Sequence, residues 1–256
     1  FWLRLRVEPI SAAQAGDKLV LRVRPSFIDH VVLFDPADTT RHGPATAGDM
    51  TPWAEAEYPS LNHGFLIASL PQPRDVYLRV SSTSTSMVHV EALTSLEASR
   101  LDHSQALTYS ISLGLMVMFM VWVWVSWMND RDHVNGAFVI KQLASILYTA
   151  GYFGYFRVFL SESASPTSIN FIFNVVLISA TGLAFWYETH FLRDYELPTW
   201  VMRMTRSFYM AAFVALLLLF AGQTRLALQL NMMVIGLGST LLLMAVLVFI
   251  KTPTNK

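Results

Sequence analysis

Trp53, Tyr58 and His63 fall in the longest irregular segment of residues 1–98, between the apolar runs "VVLFDP" and "GFLIASL". Rings on a loop carried by a rigid β scaffold can stack on a sugar or other small ligand. These three are the candidate ligand-binding residues, and the competing reading is that they pack the loop against the sheet. Other groupings carry less chemistry. Asp102-His103-Ser104 holds the residue types of a hydrolytic triad, but a triad is assembled by geometry, not by adjacency in sequence. Glu188-x-His190 has no HExxH context and no second histidine close by, as a zinc site would need. Lys141 interrupts an apolar run near its end, where its stem can carry the charge to an interface. No catalytic residue, metal site or cofactor is expected.

The elements that must position the loop are short alternating runs. "FWLRLRV" sets Phe1, Leu3, Leu5 and Val7 on one face and Trp2, Arg4 and Arg6 on the other. "KLVLRVRP" places Leu19, Leu21 and Val23 opposite Arg22 and Arg24. "HVVLFD", "GFLIASL", "DVYLRVSS" and "MVHVEAL" follow, separated by Gly, Pro, Asp and Ser. This spacing predicts an all-β sandwich or jelly roll over residues 1–98. The segment 99–105 reads as a linker or as an extension of the next helix.

Composition then changes. The 256 residues are 54% hydrophobic and 14% charged, and a soluble domain is usually about 25% charged. The apolar excess lies in residues 106–250, which predicts an α-helical transmembrane bundle with spans at 106–128, 134–156, 166–187, 207–224 and 226–250. A span needs about 20 apolar residues. The run "MVMFMVWVWVSWM" alternates, but both alternating sets are apolar, so it is a membrane helix and not a half-buried strand. Gly151, Gly154 and "GLGSTLLL" offer small surfaces for helix packing.

Lys and Arg set the orientation, because cytoplasmic loops are enriched in them. With the β domain outside, seven basic residues fall inside (Arg131, Lys141, Arg193, Arg203, Arg206, Lys251, Lys256) and two outside (Arg157, Arg225). In this arrangement Arg157 caps the outer end of the second helix, and 251–256 is a cytoplasmic loop or tail. A net charge of +0 removes any electrostatic footprint for nucleic acid. Zero cysteines exclude disulfides and thiolate metal sites. The chain starts inside a strand pattern, without Met or signal peptide, so it is expected to be a cut or processed piece.

The order of parts resembles bacterial seven-transmembrane receptors with diverse intracellular signalling modules (7TMR-DISM). The resemblance rests on "FWLRLRV", "LVLRVRPSFIDHVVLFDP", "AGDMTP" with Gly48, Asp49 and Pro52, "GFLIASLP", and "DVYLRVSS" with Tyr77 to Val80. The first helix, entered through "LTYSISLGLMVMFMV" with Gly114 and left through "NDRDHVNGAFV", completes it. The family's basic residue after the Gly-Asp-Pro turn is not evident in "AEAEYPSLNH". The resemblance implies the C-terminal part of a periplasmic sensor domain and the first five of seven helices, in a bacterial inner membrane. It also implies a receptor for a periplasmic ligand or partner. The outer domain is similar to carbohydrate-binding modules, so a glycan or other small molecule is the implied ligand. The implied output is two-component or cyclic-dinucleotide signalling by a kinase or cyclase module beyond these residues, so no enzyme activity is expected here. Membrane lipid and a second copy of the chain are the other implied partners. The alternative reading is a transporter or membrane-embedded protein with an accessory β domain, and a structural anchor is the third.

Overall fold

The computed structural model describes residues 1–9, 18–38, 43–82, 87–195 and 197–249. The expected tail 251–256 lies outside them.

Among the described residues, seven strands form the β domain: β1 (Trp2–Val7), β2 (Lys18–Arg24), β3 (His30–Phe34), β4 (Ala45–Ala47), β5 (His63–Ala68), β6 (Arg74–Ser81) and β7 (His89–Thr94). They make two antiparallel sheets, ordered β1-β6-β3-β4 and β5-β2-β7. The alternating residues face each other between the sheets. Leu19, Leu21, Val23, Phe65 and Ile67 from one sheet meet Val31, Leu33, Val76, Leu78 and Val80 from the other. The all-β sandwich expected from the alternation is therefore present. β4 was not foreseen, because three residues of small side chain carry no readable alternation. At the end of β3, Asp35 takes a forked ion pair from Arg74, with Nη2 to Oδ2 at 2.9 Å and both side chains buried.

β2 departs from the expected pattern. Arg22 does not face solvent: its side chain is only 2% exposed. The outer face of this sheet is covered by the start of α1 (Ser95–Asp130), which follows β7 without a break. Thr94 and Glu97 explain why the helix begins there. The Glu97 amide donates to Thr94 Oγ1 at 3.3 Å, and the Thr94 amide donates to the Glu97 carboxylate at 3.2 Å. This reciprocal capping box satisfies donors that a helix start leaves unpaired. Ala98 is then fully buried, and Arg22 reaches Glu91 on β7 at 2.9 Å and Asp102 on α1 at 2.8 Å. Gln105 also accepts from Arg22. Residues 99–105 are thus helix.

Five more helices follow: α2 (His133–Tyr152), α3 (Tyr155–Leu160), α4 (Pro166–Phe191), α5 (Thr199–Phe220) and α6 (Thr224–Phe249). Among the described residues, four stretches are long and apolar enough to cross a membrane: Ser95–Asp130, Pro166–Asp194, Thr199–Phe220 and Thr224–Phe249. The chain is a membrane protein with a β domain. α2 falls short by composition, since Asn135, Lys141, Gln142, Ser145 and Thr149 dilute its apolar residues. The predicted span 134–156 is also not one helix. It stops at Tyr152, and Gly154 takes a left-handed φ of 88° before α3 begins.

The chain divides into two compact units, Phe1–Ile111 with Ala150–Phe171, and Ser112–Thr149 with Ile172–Lys256. In the second unit Ile178, Ala212, Ala215, Leu219 and Ala227 form one core cluster. Gly238 is held by Phe185 and Phe208, so a methyl group there would strike their rings, whereas Gly236 has open space. The apolar window of α1 has 0% of its residues buried, and Trp122 is 67% exposed. Such a surface needs lipid or an apolar partner.

Candidate functional site

The first unit contains a buried polar site under the loop that joins β4 to β5. Gly48 ends β4 with φ 141°, and a Cβ there would overlap the Asp29 carbonyl oxygen. The turn is then tied down by its backbone: Asp49 N–H donates to Ile28 O at 2.8 Å and Met50 N–H to Asp29 O at 3.2 Å. Trp53 opens a short 3-10 turn, Trp53–Glu55, and Tyr58 packs against Gly64 of β5. A Cβ on Gly64 would come within 2.7 Å of the Tyr58 ring, so glycine is what allows that packing.

Arg157 of α3 enters beneath this loop. It is 8% exposed. Its Nη2 donates to Ser60 O and Asn62 O, both at 3.0 Å, and its Nη1 to Gly48 O at 3.4 Å and His63 Nδ1 at 2.6 Å. Its guanidinium carbon lies 5.0 Å from the centre of the Trp53 ring, close enough for a cation–π attraction. Gly154 permits the approach, because a Cβ there would lie 2.7 Å from Leu61 O. Arg157 is therefore not a cap on a helix end facing solvent, as its place in the sequence suggested.

The charges fit this geometry. Burial lowers Arg157 to about 10, with Asp49 opposing, so it stays a cation at neutral pH. Burial, and then the Arg157 charge, hold His63 well below its ordinary value. The imidazole is thus neutral, and since Nδ1 accepts from Arg157 its proton sits on Nε2. Burial, and then the like charge of Asp29, push Asp49 up to about 7, with Arg157 pulling the other way. Burial, and then the nearby Asp102 carboxylate, raise Tyr58 to about 12, so its phenol stays protonated.

A raised carboxylate has a definite sign in stability. Unfolded Asp49 ionises above 3.8 while the folded form resists until about 7, so stability falls as pH rises through that window and levels off above it. Asp49→Asn is expected to remove this slope. Thermal melts of the full chain in detergent between pH 4 and 8 would check it, and an unchanged slope would refute it.

All three sequence candidates are brought together. Trp53, Tyr58 and His63 line one cavity with Arg157 and Gly48, but its volume is about 10 Å³, room for about one water molecule. Two of the candidates instead engage a helix, since Trp53 and His63 hold Arg157 of α3, while Tyr58 packs against Gly64 of β5. The residue the sequence reading missed as a site member was Arg157. Its signal was a lone cation in the aromatic run "YFRVFL". Asp102 and His103 do not form a triad, since Asp102 pairs with Arg22 and His103 Nδ1 lies 2.7 Å from Ser99 O. Among the described residues no group of acidic or His side chains could hold a metal ion.

Residues 1–94 match the family model described as 7TMR-DISM extracellular 2. The β domain is a 7TMR-DISM extracellular domain. This sensor domain is followed by four apolar helices, and the chain is accordingly a membrane protein with an extracellular domain. No curated protein and no solved structure gave a significant match to the chain. The site of the 7TMR-DISM domain therefore rests on its own geometry: a loop turn at Gly48–Pro52 closed over an arginine that arrives from α3.

Proposed function

We propose that the chain is the sensing and transmitting part of a bacterial inner-membrane receptor. A periplasmic small molecule, glycan or partner acts on the 7TMR-DISM domain, and α1 and α3 carry the change into the membrane helices and on to a cytoplasmic output. The observation that carries this reading is Arg157. Its bonds to Ser60, Asn62 and His63 tie the loop to a helix, so a loop rearrangement must move that helix or break those bonds. A ligand shifts such a pair of states only through different affinity for each. A transporter reading has less support, because the domain matches a sensor family.

The same contact favours five membrane crossings. If α1 leads away from the β domain across the bilayer, Arg157 can bond to that domain only if α2 returns. α2 has 20 residues, about 30 Å of helix, which equals a hydrocarbon core. Its one Lys is compensated, as Lys141 lies 5.3 Å and 5.8 Å from the Phe138 and Tyr187 rings. Five crossings place Lys256 in the cytoplasm with the β domain outside. A reporter active only in the cytoplasm, fused after Lys256, is expected to be active; activity of a periplasm-only reporter there would refute five crossings.

Sensing itself is testable because the chain has no cysteine. Spin labels at Ala54→Cys and Glu162→Cys, on the loop and after α3, would report the distance between them in nanodiscs. Periplasmic extract fractions should shift that distance distribution. A distribution unmoved by every fraction contradicts the sensor reading.

A further inference from the structure

A larger cavity of about 510 Å³ lies elsewhere in the first unit, within the range of small-molecule sites. Its walls include two ring pairs. Tyr109 of α1 stacks on Phe153 with centroids 3.7 Å apart and planes 3° apart. Phe27 meets Tyr152 at 5.2 Å. Phe153 and Tyr152 are 6.1 Å apart, so aromatic surface is continuous along one side.

The polar groups that face the cavity are arranged to donate. Gln105 Oε1 accepts from Asn62 Nδ2 at 3.1 Å and from Arg22, which fixes its amide orientation. Gln105 Nε2 then donates to Tyr109 Oη at 2.7 Å, which leaves the phenol proton of Tyr109 directed to another acceptor. Arg24 also lines the cavity. Its guanidinium is part-exposed and its Nη2 is 3.4 Å from Glu91, which leaves further N–H donors on the same group. Two donors beside flat aromatic walls call for a ligand that brings acceptors and a ring.

We infer that this cavity binds a small planar aromatic carboxylate, its ring against Tyr152 and Phe153 and its carboxylate on the Arg24 guanidinium and the Tyr109 hydroxyl. The inference names a ligand class for the sensor and rests on that reading only for the consequence of binding.

The test uses the full chain in nanodiscs. 4-Hydroxybenzoate and indole-3-acetate serve as probes, with benzyl alcohol (no carboxylate) and cyclohexanecarboxylate (no aromatic ring) as comparators, read by calorimetry. The aromatic acids should bind saturably, the comparators at least 10-fold more weakly, and Arg24→Gln and Tyr109→Phe should each weaken the acids at least 10-fold. On the unaltered protein, photo-crosslinking with 4-benzoylbenzoate should label peptides containing Phe27, Tyr109 or Tyr152. No saturable binding, equal binding of benzyl alcohol, or labelling confined to other peptides would overturn the inference. Spin-label distances at 54 and 162 in the same samples separate the two readings. Binding without a distance change supports the cavity and counts against the sensor.

Discussion

Arg157→Ala is expected to raise amide exchange across residues 48–63 by about 100-fold or more, the equivalent of about 3 kcal/mol. The guanidinium satisfies three carbonyls and an imidazole nitrogen in a site that is nearly closed to solvent. Truncation leaves Ser60 O and His63 Nδ1 without a donor, at about 1–3 kcal/mol for each buried group, and leaves Asn62 O with the Ser60 hydroxyl alone. It also leaves Asp49 beside Asp29 without the nearby cation that lowers its pKa. Arg157→Lys keeps the charge but not the fork, and should recover less than half of the lost protection. Hydrogen exchange read by mass spectrometry on the full chain would check this. Unchanged exchange in the loop would show that the loop stands without α3, and the transmission role of Arg157 would fall with it.

Arg22→Ala is expected to lower the stability of the sensor domain by about 3–5 kcal/mol, because it strands the Asp102 carboxylate in a covered interface. Arg22 is the cation between Glu91 and Asp102. The loss should appear as a lower urea midpoint and as faster exchange in the first turns of α1. A replacement of the whole group, Arg22→Met with Glu91→Leu and Asp102→Leu, should recover most of the stability, since burying matched apolar side chains removes the stranded charges. If the single and the triple variants are equally unstable, packing and not charge holds α1 on the sheet.

Some of this was legible because it is local. The apolar runs that became α1, α4, α5 and α6 announce themselves by length and composition. The alternation of "KLVLRVRP" put Leu19, Leu21 and Val23 on the core face, and they are there. Thr94 and Glu97 form a capping box at a spacing that can be read without a fold. Trp53, Tyr58 and His63 were picked as residues of one loop, and they do converge on one cavity. Their partners were not legible. An arginine at an alternate strand position reads as solvent-facing, and nothing near Arg22 in sequence says that a helix from residues 95 onward will cover that face.

The sequence by itself determined the two materials of this protein: a pleated β-sandwich and helices for a bilayer. Both follow from side-chain period and from what water or hydrocarbon will accept. Only the tertiary structure decided where the charges went. Arg22 and Arg157 are buried because groups 80 to 109 positions away arrive to receive their protons: Asp102 for Arg22, and Gly48, Ser60, Asn62 and His63 for Arg157. Burial of an ion is favourable only when its partners come with it, and partnership over that distance is a property of the fold, not of any stretch of chain.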